Sequence, residues 1–273
     1  MALAGRPISP ALCGVMLHPA SHTRSPAMHN AAFAALGLDA LFVAFDVPPA
    51  QLGAALAGVR ALGLRQLAIS LPHKRAVMDH LDEIDATAER IGAVNTVTLR
   101  AGRLLGSNTD WLGLVRALER ETELAGRRAV VLGAGGTARA AVFGLRERGA
   151  RVTVLNRTVA RAEAIAKELG GERAGSLDAL GDMEWDVLVN TTSVGLQSDR
   201  SPVVASALRR GSVVFDAVYE PAETRLLREA RASGARVVPG KWMLVEQAIE
   251  QIRLWSGRTA PREILAEAFD RAR

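Results

Sequence analysis

Two residues have the types that proton transfer needs. Lys74 follows the apolar run 66–71 through Pro72 and His73, which puts it at the carboxyl end of an expected strand. Asp110 closes the polar run Asn108-Thr109-Asp110. An ammonium near a carboxylate in a partly desolvated cleft can exchange a proton with a carbinol or carbonyl oxygen. Each also has an ordinary reading. Most lysines are solvated surface charges, and Asp110, taken singly, reads first as the N-cap of the helix that follows it.

A second chemistry is written in VVLGAGGTARAA, residues 130–141. Gly133 ends an apolar run, Gly135 and Gly136 follow, and a helical pattern begins at once. Glycines there let a pyrophosphate approach the backbone at a helix N-terminus, although tight strand-to-helix turns also use glycine for geometry alone. The next strand is expected over 151–156, and after Asn156 come Arg157 and, one turn on, Arg161. An NAD-selective site usually carries an acid at this place to bind the 2′-hydroxyl. Arginine instead suits stacking on adenine or a bidentate grip on a 2′-phosphate, so the order strand, glycines, arginines points to NADP(H). Next to a nicotinamide, proton transfer by Lys74 and Asp110 becomes alcohol–ketone redox.

His18, His22 and His29 stand close in sequence, and HPASH has an i, i+4 spacing. Pro19 breaks a helix there, Cys13 belongs to a strand and no acidic ligand is expected close by, so a holding role for His22 and His29 at the loop and helix cap is expected, and no metal.

The elements that must position these residues follow from periodicity. Strands are expected over 11–17, 41–47, 66–71, 151–156, 185–190, 212–219 and 235–240, with a further one in RRAVVLGAGG (127–136) that ends in the glycines. Residues 93–100 and 103–110 read as a hairpin turning at Ala101-Gly102. Helices are expected from Ser25 (read as N-cap, with Pro26 at the first helical position) to about Leu36, then over 49–62, 74–81, 85–91, 111–124, 137–148, 158–169, 222–233, 242–256 and 261–271. Strand–helix alternation of this kind predicts an α/β protein with parallel sheet covered on both faces. Compact polar residues recur at strand ends: Ser70, Lys74, Asn95, 108–110, 190–193 and Tyr219. Ligands of open α/β sheets bind there.

The bulk numbers agree with an enzyme of this kind. The chain has 273 residues, 49% hydrophobic and 23% charged, enough to bury real cores. A net charge of +5, with Arg and Glu interleaved along helices, describes solvated faces that suit anionic small molecules and excludes a nucleic-acid stripe. Cys13 is the only cysteine, which excludes an intramolecular disulfide and fits a reducing cytoplasm. The first ten residues lack the apolar core of a signal peptide, and no run reaches the ~20 apolar residues that span a membrane.

Taken together, the motifs resemble the shikimate dehydrogenase family over nearly the whole chain. HTRSPAMHN (22–30) is similar to that family's H-S-x-S-P-x-x-H-N, SLPHK (70–74) to the end of N-V-T-x-P-H-K, IGAVNTV (91–97) to G-A-V-N-T, and GSNTDWLG (106–113) to G-x-N-T-D-x-x-G. GAGGTARA and NRT resemble its NADP site; NTTSVG (190–195), DAVYEPAETRLL (216–227) and GKWMLVEQA (240–248) resemble its later segments. The resemblance implies an N-terminal α/β substrate domain with a mixed sheet (1–110 and 241–273), a Rossmann-like NADP domain (111–240) and a cleft between them that closes on substrate. It implies reversible NADPH-dependent reduction of 3-dehydroshikimate to shikimate, within aromatic amino acid biosynthesis, with Lys74 and Asp110 as the catalytic pair. It places Thr23, Ser25 and Tyr219 on the substrate carboxylate side, and Ser70, Asn95, Asp110 and Gln247 on the ring hydroxyls. Gly133, Ala134, Gly135, Gly136, Thr137, Ala138, Asn156, Arg157, Thr158, Arg161, Thr191, Ser193, Val218, Gly240 and Met243 are the implied cofactor contacts.

The chain departs from the pattern at Thr23, where the family has serine, and at Ala68 and Ser70, where it has asparagine and threonine. Quinate differs from shikimate at the ring carbon that bears the carboxylate, so a dehydrogenase of quinate or a related cyclitol acid is the alternative. A non-catalytic NADP sensor is a third reading, against which the joint presence of Lys74, Asp110, Asn95 and Gln247 argues. A homodimer is compatible with the chain.

Overall fold

Two alternating patterns along the chain become two sheets. The computed structural model describes residues 10–20 and 23–272, and His22 lies outside them. The described chain divides into two compact units. One runs up to Ala88 and adds Val94–Ser107 and the chain from Ala248; the other takes Glu89–Ala93 and Asn108–Gln247.

In the first unit β1 (Ala11–Leu17) lies between β2 (Ala40–Asp46) and β3 (Gln66–Ile69), parallel to both. Strands β5 (Thr96–Arg100) and β6 (Arg103–Ser107) extend the sheet antiparallel, and the two-residue β4 (Glu83–Ile84) pairs parallel with β6, giving the order β2-β1-β3-β5-β6-β4. The hairpin turns where expected: Ala101 and Gly102 have φ of 50° and 76°, the left-handed pair that a two-residue turn needs to match strand twist. Helix α1 (Ser25–Ala35) packs against α9 (Arg262–Arg271). α2 (Leu52–Leu62), entered through a short 3-10 turn at Pro49–Gln51, buries Leu52, Leu56 and Val59 on Met16, Leu67 and Ile69. That i, i+4, i+7 spacing forms one helical stripe.

The second unit is an all-parallel sheet in the order β12-β11-β10-β7-β8-β9. Its strands are β7 (Arg128–Leu132), β8 (Arg151–Leu155), β9 (Arg173–Gly175), β10 (Val187–Asn190), β11 (Val213–Asp216) and β12 (Arg236–Pro239). Helices α4 (Asp110–Glu119), α5 (Gly136–Glu147) and α6 (Val159–Leu169) contribute to one apolar layer, and α7 (Arg225–Ala232) to another. Burial on both sides explains the unbroken apolar runs VLVN and VVFD, each fully buried. The chain steps from β7 to β8 and β9 on one side, then returns to β10 on the other, so the order reverses between β7 and β10.

The observed elements correct several boundaries. Lys74 lies in a turn, because the expected 74–81 helix shrinks to a 3-10 segment, Ala76–His80. Arg24, not Ser25, occupies the cap of α1 and caps nothing with its side chain. Asp110 is the first residue of α4, whose cap position is Thr109. The expected 212–219 strand stops at Asp216, which leaves Tyr219 in the following loop. Strands β4 and β9 carried too few residues for periodicity to show them. Helix α3 (Ala86–Ile91) is tied to α5 within the second unit at its last residue: Arg139 Nε donates to the Ile91 carbonyl, and a Cβ on Gly92 would strike that guanidinium.

Candidate functional site

In the first unit the end of β3 gathers the polar residues. The Ile69 N–H donates to the Asn95 carbonyl at 2.7 Å, which sets Ser70 beside Asn95. Past the turn, the Lys74 carbonyl accepts from Val94 N at 2.8 Å, so Lys74 is held next to the same strand entry, half-buried. His73 is the anchor of that turn. Its ring is buried and donates from Nε2 to the Val47 carbonyl at 2.8 Å. The Asn95 side chain is 2% exposed, and its Oδ1 accepts from Thr96 Oγ1 at 2.9 Å.

Thr23 and Ser25 meet at the start of α1, where Ser25 N donates to Thr23 Oγ1 at 3.3 Å. One turn further, His29 Nδ1 donates to the Ser25 carbonyl at 2.9 Å, and its ring stacks on Phe42 with centroids 3.9 Å apart. Burial pushes this imidazole down to about 4, against the Ser25 carbonyl and the neighbouring Gln251 amide, which favour the charged form. His29 is therefore a core residue rather than a cap. His18, expected to have no acid near it, is bonded to Asp46 at 2.7 Å, a partner 28 residues away that spacing could not show. Among the described residues no cluster of three or more His, Cys, Asp or Glu is arranged for a metal.

In the second unit Asp110 opens α4, its N–H donating to Asn108 Oδ1 at 3.0 Å, while Asn108 Nδ2 holds the Ala93 carbonyl at 2.8 Å. Gly113, one turn along the same face, is crossed by α8 (Gly240–Ser256). A Cβ there would lie 2.7 Å from the Met243 carbonyl and 3.0 Å from Gln247 Cβ. The missing side chain lets α8 approach, and it brings Gln247 and Met243 beside the face that carries Asp110.

The glycine turn lies at the point where strand order reverses. Gly133 has φ of 115°, and a Cβ on it would sit 2.6 Å from Thr191 Oγ1. Thr191 is pinned there by its own bonds to the Leu132 carbonyl, 2.9 Å from N and 2.7 Å from Oγ1. Gly135 is exposed, with nothing within 4 Å of where its Cβ would stand, and as the cap residue of α5 it supplies no side-chain bond. Ala134, Gly136, Thr137 and Ala138 continue this bend into the helix. Open space at a glycine-capped helix N-terminus fits a pyrophosphate. At the end of β8, Asn156 Nδ2 donates to the Thr158 carbonyl at 2.9 Å, closing the turn that presents Arg157; Thr158 is the cap position of α6. Arg157 and Arg161 are both exposed, and neither guanidinium has an ion-pair partner among the described residues. The residues present therefore fit a dinucleotide with a 2′-phosphate.

Beside the glycine turn stands a buried carboxylate. Asp216 is 0% exposed, and Asn190 Nδ2, Val218 N and Thr224 Oγ1 donate to it at 2.8, 3.0 and 2.6 Å. Burial pushes the carboxyl up to about 6, while these three donors hold it down. Gly240 begins α8 against the same strand end; a Cβ would be 2.7 Å from the Asp216 and Ala217 carbonyls.

Three family models match successive stretches between residues 15 and 268. The shikimate dehydrogenase substrate binding domain covers residues 15–97, shikimate/quinate 5-dehydrogenase covers 116–216, and the shikimate 5′-dehydrogenase C-terminal domain covers 240–268. The chain belongs to the shikimate dehydrogenase family. A curated member of that family, the NADP(+) shikimate dehydrogenase of Thermococcus kodakarensis, is 50% identical over 248 residues, covering 90% of this chain and 91% of that protein. Among solved structures, a shikimate dehydrogenase in complex with NADP+ has a TM-score of 0.91 at 38% identity over 96% of this chain and 95% of its own. The Thermus thermophilus enzyme in complex with NADP(H) and shikimate has a TM-score of 0.90 at 42% identity, over 95% and 98%.

Gln251, Asp216 and Thr224 were not among the candidate residues, whereas Asn190 and Thr192 stood in the polar run 190–193. Gln251 donates to the Asn95 carbonyl at 3.2 Å and to Thr96 Oγ1 at 2.9 Å. Asp216, with Asn190, Thr192 and Thr224, forms the network above. The usable signal was an acid ending an otherwise apolar buried strand, SVVFD.

Proposed function

We propose that this chain catalyses the reversible, NADPH-dependent reduction of 3-dehydroshikimate to shikimate, a step of aromatic amino acid biosynthesis. The observation that carries it is the open, glycine-lined start of α5, with the unpaired Arg157 and Arg161 at the end of β8, in a chain whose family models and NADP(+)-dependent relatives agree. NADPH supplies the hydride when bound. Gly133, Ala134, Gly135, Gly136, Thr137 and Ala138 would hold the pyrophosphate. Asn156, Arg157, Thr158 and Arg161 would hold the adenosine and its phosphate, and Thr191, Ser193, Val218, Gly240 and Met243 the nicotinamide side.

Lys74 and Asp110 are the proposed proton-transfer pair: the ammonium gives its proton to the oxygen of the ketone as that oxygen becomes a hydroxyl, and the carboxylate keeps the lysine oriented and charged. Thr23, Ser25 and Tyr219 read the substrate carboxylate, and Ser70, Asn95, Asp110 and Gln247 the ring hydroxyls. His73 sets the turn that presents Lys74. An anionic cyclitol acid is the substrate class, with no nucleic acid or membrane as partner. A cytoplasmic setting, supported by the single buried thiol of Cys13, and a homodimer complete the reading. Among the described residues no helix is long and apolar enough to cross a membrane.

Assaying shikimate and quinate, each with NADP and NAD, tests this. The expected result is the highest kcat/KM for shikimate with NADP. A protein that neither oxidises shikimate with NADP nor reduces 3-dehydroshikimate with NADPH sinks the proposal, and a preference for quinate moves it to the alternative that Thr23 raises.

A further inference from the structure

We infer that Asp216, a residue outside the proposed ligand contacts, is the positioning residue that sets both backbone segments flanking the nicotinamide half of the cofactor. The inference rests on the NADPH reading above. One carboxylate reaches three segments. Through Asn190 it governs the loop after β10: Asn190 Oδ1 accepts from Thr192 N at 3.0 Å and Thr192 Oγ1 at 2.7 Å, and Thr192 Oγ1 in turn accepts from Val194 N at 3.2 Å. That chain of bonds fixes the backbone on which Thr191 and Ser193 sit. Through its own Oδ1 it fixes Val218 N, and so the loop that leads to Tyr219. Through Oδ2 it orients Thr224, whose Oγ1 accepts from Leu227 N at 3.3 Å and caps α7.

The direction of these bonds makes the charge matter. All three groups around Asp216 donate, so an ionised carboxylate satisfies every one. Asn190 must offer its amide nitrogen to Asp216 because its oxygen is taken by Thr192, and Thr224 must offer its proton because its oxygen is taken by Leu227. An amide in place of the carboxylate would turn an N–H toward one of these donors, and the mismatch would propagate into both loops. At the adenosine end, by contrast, Asn156 closes its own turn through the Thr158 carbonyl, with no bond to Asp216 among the described residues. The inferred role is thus confined to one half of the cofactor.

Asp216→Asn tests this, with two ligands as probes. Adenosine 2′,5′-bisphosphate reports the phosphate end, and its titration counts folded sites, so that kcat is expressed per site. The expected result is a kcat about tenfold lower or more at saturating substrates, with the affinity for the bisphosphate within twofold of the parent chain. Thr224→Val should give a smaller loss of the same kind and Thr224→Ser should restore it, and this pair carries the test if Asp216→Asn does not fold. An unchanged kcat per site, or a bisphosphate affinity that falls in step with kcat, overturns the inference. A parent chain that binds neither the bisphosphate nor NADPH overturns the cofactor reading itself, and this inference with it.

Discussion

His29, on α1 in the first unit, and Asp216, at the end of β11 in the second, are both buried ionisable residues, and they are held in opposite ways. His29 is clamped by rings, stacked on Phe42 and edge-on to Phe33. Its one close hydrogen bond runs to the Ser25 carbonyl, with the Gln251 amide near the ring. Asp216 touches a ring of donors that answers both of its oxygens. Burial presses both groups toward the neutral form, lowering the imidazole and raising the carboxyl despite its three donors, so pH acts on the two units with opposite sign. The comparison separates what each unit must keep constant: aromatic packing behind Ser25 in one, a charge that orders loops in the other.

The largest expected effect lies in the first unit alone. Lys74→Ala should lower kcat by about 10²- to 10⁴-fold while leaving NADPH affinity within a fewfold. Steady-state kinetics with fluorescence titration of NADPH checks this, and turnover equal to that of the parent chain would remove Lys74 from the mechanism.

Next comes the opposition in pH. His29 has a folded value of about 4 against an ordinary 6.5, so the unfolded chain binds the extra proton between them. Stability from this residue is present above 6.5 and lost as pH falls toward 4. Asp216 has a folded value of about 6 against 3.8, so the folded chain binds the extra proton. Its contribution is largest below 3.8 and lost as pH rises through 6. Each amounts to at most about 3 kcal/mol. Urea midpoints between pH 4 and 7 should therefore rise less steeply with pH in a His29→Gln chain and more steeply in Asp216→Asn. Identical slopes in the two variants would break the comparison.

Smaller again is Arg157→Ala, which should raise the KM for NADPH by about ten- to a hundredfold and leave the KM for NADH unchanged, so that cofactor preference narrows. An equal rise for both cofactors would place Arg157 on the adenine alone. The smallest effect is a control on the first unit. Ala101 holds a left-handed φ of 50°, and Ala101→Gly should stabilise the hairpin by up to about 1 kcal/mol, seen as a higher thermal midpoint with kcat unaltered.

Much of this was legible from local pattern. The glycines of 133–136, the arginines after Asn156 and the turn at Ala101-Gly102 depend on neighbours in sequence, and the structure placed them where their types required. The hidden parts depend on partners far along the chain. Asp216 is bonded to Asn190, 26 residues away, and Gln251 to Thr96, 155 residues away. The acid beside His18 lies across a parallel strand pair, 28 residues on.

By itself the sequence determined most element types, the parallel alternation of strand and helix, and the local order of strand, glycine turn and arginines that points to a phosphorylated dinucleotide. Backbone sterics, helix termini and charge act over a few residues, and those are written locally. The tertiary structure decided which polar residues share a strand end, how α8 crosses Gly113 to bring Gln247 beside the face of Asp110, and which buried groups stand charged or neutral. Desolvation and hydrogen-bond direction belong to an environment assembled from distant segments, and no window along the chain contains it.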